Sequence, residues 1–169
     1  MRETLPLPDL RATRAFARRL ARSLLGRDLL LLSGELGAGK TTFTRYLAQA
    51  LSIDPAWVSS PSFTLVQRYP GPEGRAGLVH ADLYRLKEEG ELANLGLEEI
   101  LEGEDLVVVE WPRLGEELFG AAGRPLWRLG FFGTGGERRV EVEGPQPLTP
   151  AKPRRAVPRR WSPPPPPRR

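Results

Sequence analysis

Four consecutive leucines, Leu29 to Leu32, run through Ser33 into Gly34-Glu35-Leu36-Gly37-Ala38-Gly39-Lys40-Thr41, a G-x-x-x-x-G-K-T loop with a helical repeat directly behind it. This order of strand, glycine-rich loop and helix constrains the fold more than any other feature. It turns successive backbone N–H groups toward an anion, and the helix adds its positive end. Gly34, Gly37 and Gly39 allow positive φ and let the backbone approach a phosphate with no Cβ in the way. Lys40 is then placed to reach the β- and γ-phosphates, and the Thr41 hydroxyl to ligate Mg²⁺. The motif reads as a P-loop.

The flanking segments supply the rest of a sandwich. Phe43, Tyr46, Leu47, Ala50 and Leu51 recur at the spacing of a core-facing helix. Residues 9–24 place Phe16, Leu20 and Leu24 on one stripe and five arginines mostly off it, which predicts an amphipathic helix capped by Asp9 and stopped near Gly26. Residues 62–69 and 77–84, on either side of Pro70-Gly71-Pro72-Glu73-Gly74, read as an antiparallel hairpin. Residues 88–101 hold two short helical pieces broken at Gly96. Leu106 to Val109 form an uninterrupted apolar run ending in Glu110-Trp111-Pro112, the pattern of a strand buried on both faces. Residues 126–132 and 138–143 flank Gly133-Thr134-Gly135-Gly136 as a last hairpin, and no internal repeat is present. The expected class is α/β, a P-loop NTPase-like three-layer fold with a mixed central sheet.

Charge divides the 169 residues unevenly. Residues 145–169 carry seven Lys or Arg and no acid, so of the chain's formal +4 the remainder holds −3. A slightly acidic body has no electrostatic footprint for RNA on its core. The same segment holds ten of the 18 prolines and few apolar residues, too few to offset the entropy of ordering it. One P-loop ATPase domain is therefore expected over 1–144, followed by a disordered or polyproline tail over 145–169. The tail is either a weak, non-specific attractant for tRNA or an acidic partner, or a solubilising extension. No cysteine is present, no apolar run approaches membrane-spanning length, and the N-terminus lacks the core of a secretory signal. A cytoplasmic protein away from the membrane is the expectation.

Triphosphate binding does not by itself specify chemistry. A second acid is needed near Mg²⁺, at the end of a buried strand beside the loop strand, and Glu110 meets that description. Asp82 is the other acid of interest, since alternation places it with His80 and Leu78 on one face of its strand. It either positions a water for attack on the γ-phosphate, or ligates Mg²⁺ through water, or is a hydrogen-bonded strand-end acid. His80 reads as structural and, with no cysteine or second histidine, anchors no zinc site. Neither an N-K-x-D tetrad nor a D-x-x-G switch follows the loop, so ATP is the expected nucleotide. Two other classes share these features, a small-molecule kinase and a nucleotide-gated binding module with negligible turnover. The hairpin after the loop helix, where such kinases carry a helical lid, argues against the first.

Four segments together resemble the bacterial TsaE (YjeE) ATPases in order and spacing: Gly34 to Phe43, Ser60 to Val66, His80-Ala81-Asp82-Leu83-Tyr84-Arg85-Leu86, and Val109-Glu110-Trp111-Pro112. The resemblance covers roughly residues 5–143. It implies a Mg²⁺-dependent ATPase, slow alone and partner-dependent, that supports threonylcarbamoyladenosine modification of tRNA beside the anticodon. The implied partners are the transferase proteins TsaD and TsaB, with tRNA engaged indirectly. By resemblance, Leu36, Gly37, Ala38, Gly39, Lys40, Thr41 and Thr42 hold the phosphates, with Trp111 and Arg113 beside the nucleotide. Thr41 and Glu110 become the Mg²⁺ ligands, Lys40 and Asp82 the catalytic residues, Ser60 to Thr64 a switch-like loop, and Leu10 to Thr13 neighbours of the adenine.

Overall fold

In the computed structural model, which describes residues 1–61, 63–73 and 75–150, the leucine run becomes the middle of the sheet. The loop strand β2 (Leu29–Gly34) pairs in parallel with β5 (Leu106–Glu110) on one side and β6 (Leu126–Phe132) on the other. Leu29 to Leu32 are all buried. A strand covered on both faces needs apolar side chains pointing both ways, so these residues do not alternate. β4 (Leu78–Asp82) adds a fourth parallel strand beside β5. Antiparallel strands finish the edges: β3 (Val66–Tyr69) on β4, and β7 (Arg139–Glu143) on β6 with β1 (Arg2–Pro6) outside it. The order β1-β7-β6-β2-β5-β4-β3 is the mixed central sheet expected.

Helices cover both faces. On one, α1 (Leu10–Ala21) and α2 (Lys40–Ala50) pack Phe16, Leu20, Phe43 and Leu47 against Leu30, Leu32, Val108 and Trp127. On the other, α3 (Gly90–Ala93), α4 (Leu97–Glu102) and α5 (Glu116–Ala121) pack Leu92, Leu97, Ile100 and Phe119 against Leu29, Leu31, Val79 and Val107. The α1 start is fixed by Asp9, whose carboxylate accepts the Ala12 N–H at 2.7 Å, a side-chain cap of an otherwise orphaned donor. Stacked rings of Phe16 and Phe43, 5.1 Å apart, tie α1 to the loop helix. Among the described residues no helix is long and apolar enough to cross a membrane.

Two boundaries and two elements differ from expectation. The first hairpin strand begins at Val66, because Leu65 takes a left-handed φ of 61° and donates its N–H back to Pro61 O at 2.6 Å, a turn where an extended residue was expected. Both β1 and α5 are additional elements, each too short and too charged or glycine-broken to show a period. The chain also stays packed beyond Gly144. Leu148 is buried against the α1–α2 side, the Thr149 N–H donates to Ser23 Oγ at 2.7 Å, and Arg19 Nε donates to Thr149 O at 3.0 Å. One leucine among prolines carries no period to read. Of the tail expected over 145–169, residues 151–169 lie outside the described residues, as does Ser62 of the switch-like loop.

Truncation after Gly144 should therefore give a chain about 2 kcal/mol less stable than truncation after Pro150, the order of one buried leucine. Urea midpoints of the two truncated chains measure this. Equal midpoints would show that residues 145–150 contribute nothing.

Candidate nucleotide-binding site

β2, β4 and β5 run parallel, so their C-terminal ends open on one edge of the sheet, and α2 begins at that edge. Open α/β sheets hold ligands at this edge. The loop has the backbone its glycines suggest, with φ of 135° at Gly34, 78° at Gly37 and 107° at Gly39. A Cβ on Gly34 would also collide with Phe131 O of the neighbouring strand, so both space and dihedral require glycine there. Gly39 caps α2 and supplies no side chain, which leaves the first-turn N–H groups for another acceptor.

Lys40, the first residue of α2, is only 4 % exposed. Its Nζ donates to Gly34 O at 2.7 Å and Glu35 O at 3.0 Å and lies 3.9 Å from the centre of the Trp111 ring. Burial pushes its pKa down, and the carboxylates of Glu110 and Asp82 oppose that shift. Thr41 donates its hydroxyl to Glu110, with Oε1 at 2.9 Å and Oε2 at 3.2 Å. Asp82 stands directly opposite Glu110 in the β4–β5 register. It accepts from Ser60 Oγ at 2.8 Å and from the Tyr84 N–H at 3.0 Å. Lys40, Thr41, Ser60, Asp82, Glu110 and Trp111 all line one cleft.

Thr41 and Glu110 together offer hard oxygen donors of the kind Mg²⁺ selects. Among the described residues, no group of three or more His, Cys, Asp or Glu side chains could hold a metal alone. A Mg²⁺ ion here would take its remaining ligands from phosphate oxygens and water, its common mode of binding at phosphate sites. The residues present fit that ion in company with a polyphosphate.

The other sequence candidates fall around this centre. Trp111 takes a left-handed φ of 58°, unusual for a bulky residue, and its ring lies 4.8 Å from that of Tyr84. Leu36 is exposed at the loop tip, and Phe63 of the expected switch-like loop is exposed beside Arg85. Arg113 donates to Leu86 O at 2.8 Å and is not among the residues lining the cleft. Leu10 and Thr13 line a second hollow behind the loop with Gly37, Ala38, Thr42 and Phe131, where Arg138 also stands. Two residues here escaped sequence reasoning as parts of the site. Arg138 carried no signal. His80 Nε2 is 2.9 Å from Glu110 Oε1, and its sequence signals were the face it shares with Asp82 and its place in the third of the four resembling segments.

Comparison with known proteins gives a consistent relationship. The family model described as threonylcarbamoyl adenosine biosynthesis protein TsaE matches residues 7–129. A Bacillus subtilis (strain 168) protein named tRNA threonylcarbamoyladenosine biosynthesis protein TsaE is 43% identical over 105 residues, 62% of this chain and 63% of that protein. The Streptomyces coelicolor protein of the same name is 44% identical over 99 residues, 58% of this chain and 66% of its own length. The chain thus spans just under two thirds of the length of these two relatives. Among solved structures, Bacillus subtilis YdiB superposes with a TM-score of 0.62 at 30% identity, covering 84% of each chain. With the P-loop, Asp82, Glu110 and Trp111 all inside the matched segment, the chain belongs to the TsaE family.

Proposed function

We propose that the chain binds Mg²⁺·ATP in this cleft and hydrolyses it slowly, as the ATPase component of tRNA threonylcarbamoyladenosine synthesis in the cytoplasm, acting with TsaD and TsaB. The observation that carries the reading is the convergence of Lys40, the Thr41–Glu110 pair and Asp82 on one cleft at the strand ends. The names of the relatives support the tRNA role, and the loop with its adjoining acids supports the ATPase.

The division of labour follows from the contacts. Lys40 exchanges the Gly34 and Glu35 carbonyls for phosphate oxygens, and the added anions raise its pKa against the effect of burial. Thr41 and Glu110 would hold Mg²⁺, which would neutralise charge on the phosphate oxygens. Asp82, tied to Ser60, orients the attacking water and links the γ-phosphate to the loop that begins there. Leu10 and Thr13, in the hollow behind Thr42, border the base. Trp111 and Tyr84 wall the cleft against solvent.

Thr41→Ala and Glu110→Ala should both act through the metal. Each should raise the Mg²⁺ concentration needed for half-maximal ATP binding by about 10-fold or more, with the defect relieved at high Mg²⁺. Indifference to Mg²⁺ would remove both from the ligand set.

The function is tested by phosphate release from labelled ATP, with the chain alone and with TsaD and TsaB, while modified adenosine is counted in tRNA supplied together with threonylcarbamoyl adenylate as the group donor. Turnover should rise with the partners and modified tRNA should accumulate only when all are present. Label passing to a small acceptor would instead identify a kinase, and ATP binding with no phosphate release under any condition would identify a binding module.

A further inference from the structure

We propose that His80 is a positioning residue for Glu110, holding the carboxylate through Nε2–H so that its second oxygen faces the cation. The proposal rests on the Mg²⁺·ATP reading of the cleft. His80 is fully buried in the middle of β4, with Val108 opposite it on β5. Its Nε2 lies 2.9 Å from Glu110 Oε1, and its Nδ1 is buried with no hydrogen-bond partner among the described residues.

The bare Nδ1 settles which ring nitrogen carries the hydrogen. With hydrogen on Nε2, the ring donates to the carboxylate, and Nδ1 is left as a lone pair without a donor. The other tautomer would bury an unmatched N–H and set the Nε2 lone pair against a carboxylate oxygen, two deficits in place of one. Even the better tautomer leaves a polar atom unsatisfied. The neighbours Leu78 and Val108 belong to an apolar layer, where a hydrocarbon side chain would fill the space without that deficit. The imidazole is therefore placed for its one donor, and that donor points at Glu110.

The consequence lies in the carboxylate's freedom. Thr41 and His80 both bind Oε1, whereas among the described residues Oε2 has only the longer 3.2 Å contact to Thr41. A glutamate side chain has three torsions to fix, and a buried N–H on one oxygen fixes them before the metal arrives. Asp82 is tied to Ser60 and Tyr84 through its own oxygens and needs no such help.

The test compares His80→Gln, whose amide nitrogen reaches about as far as Nε2, with His80→Asn and His80→Leu, which present no donor there. Calorimetric ATP affinity is measured with Mg²⁺ chelated and across a Mg²⁺ series, with the fold of each variant checked by urea unfolding. The Asn and Leu variants should need about 10-fold more Mg²⁺ for half-maximal tightening of ATP, with metal-free affinity unchanged, and Gln should restore the parental midpoint. If the Asn variant keeps the parental Mg²⁺ midpoint, or Gln fails to recover it, His80 is a filler of the core and the proposal falls. Equal loss of metal-free affinity would assign His80 to the shape of the loop, which also overturns it. A parent chain whose ATP binding ignores Mg²⁺ overturns the site reading itself, an outcome visible before any variant is made.

Discussion

Lys40→Ala should weaken ATP binding by about 10²-fold while leaving the fold intact. The side chain is almost wholly buried, yet among the described residues its ammonium contacts two loop carbonyls and the Trp111 face, all partners a phosphate can replace. A hydrogen bond to a charged group contributes about 1.5–3 kcal/mol, and about 2.7 kcal/mol corresponds to 10²-fold in affinity. The substitution also removes the ammonium charge that faces Glu110 and Asp82, which leaves their repulsion of an incoming polyphosphate less compensated. Calorimetric titration with Mg²⁺·ATP, beside circular dichroism of the variant, measures the effect. Parental affinity in a folded variant would dissociate the loop from nucleotide binding.

Asp82→Asn should separate hydrolysis from binding. Asparagine keeps the size of the side chain and can keep its contacts, since the amide oxygen accepts the Tyr84 N–H and the amide nitrogen can donate to Ser60 Oγ. Only the charge and the capacity to accept a proton are lost. Turnover should fall by about 10²-fold or more, the scale of general-base positioning, with affinity held within a few-fold. Phosphate release with the transferase partners present and a parallel binding titration give the two numbers. Equal loss of both would move Asp82 into the metal shell, and loss of neither would reduce it to a strand-end acid.

What could be read in advance was what local chemistry dictates. The loop's glycines, Lys40 and Thr41 are set by the geometry of one turn, so their order in the chain carried the site. Glu110 was legible because it closes an apolar run, and a lone acid there has few other reasons to exist. The His80–Glu110 contact was hidden, because it requires β4 and β5 to be neighbours in one particular register. Arg138 sits in the charged stretch Glu137-Arg138-Arg139, where nothing distinguishes it from the exposed Arg139 that pairs with Glu141 at 3.7 Å. β1 exists only because β7 offers it an edge, which makes it a product of topology and not of propensity. Leu148 needed the α1–α2 layer already in place to look like a core residue.

Titration of the full chain with ATP, with and without Mg²⁺, followed by the same titration of Glu110→Ala, tests the central claim most directly. One saturable site per chain is expected, tightened by Mg²⁺ in the parent and, in the variant, only at about 10-fold higher Mg²⁺. No saturable heat at millimolar ATP, or the same Mg²⁺ effect in both proteins, would contradict the assignment of this cleft to Mg²⁺·ATP.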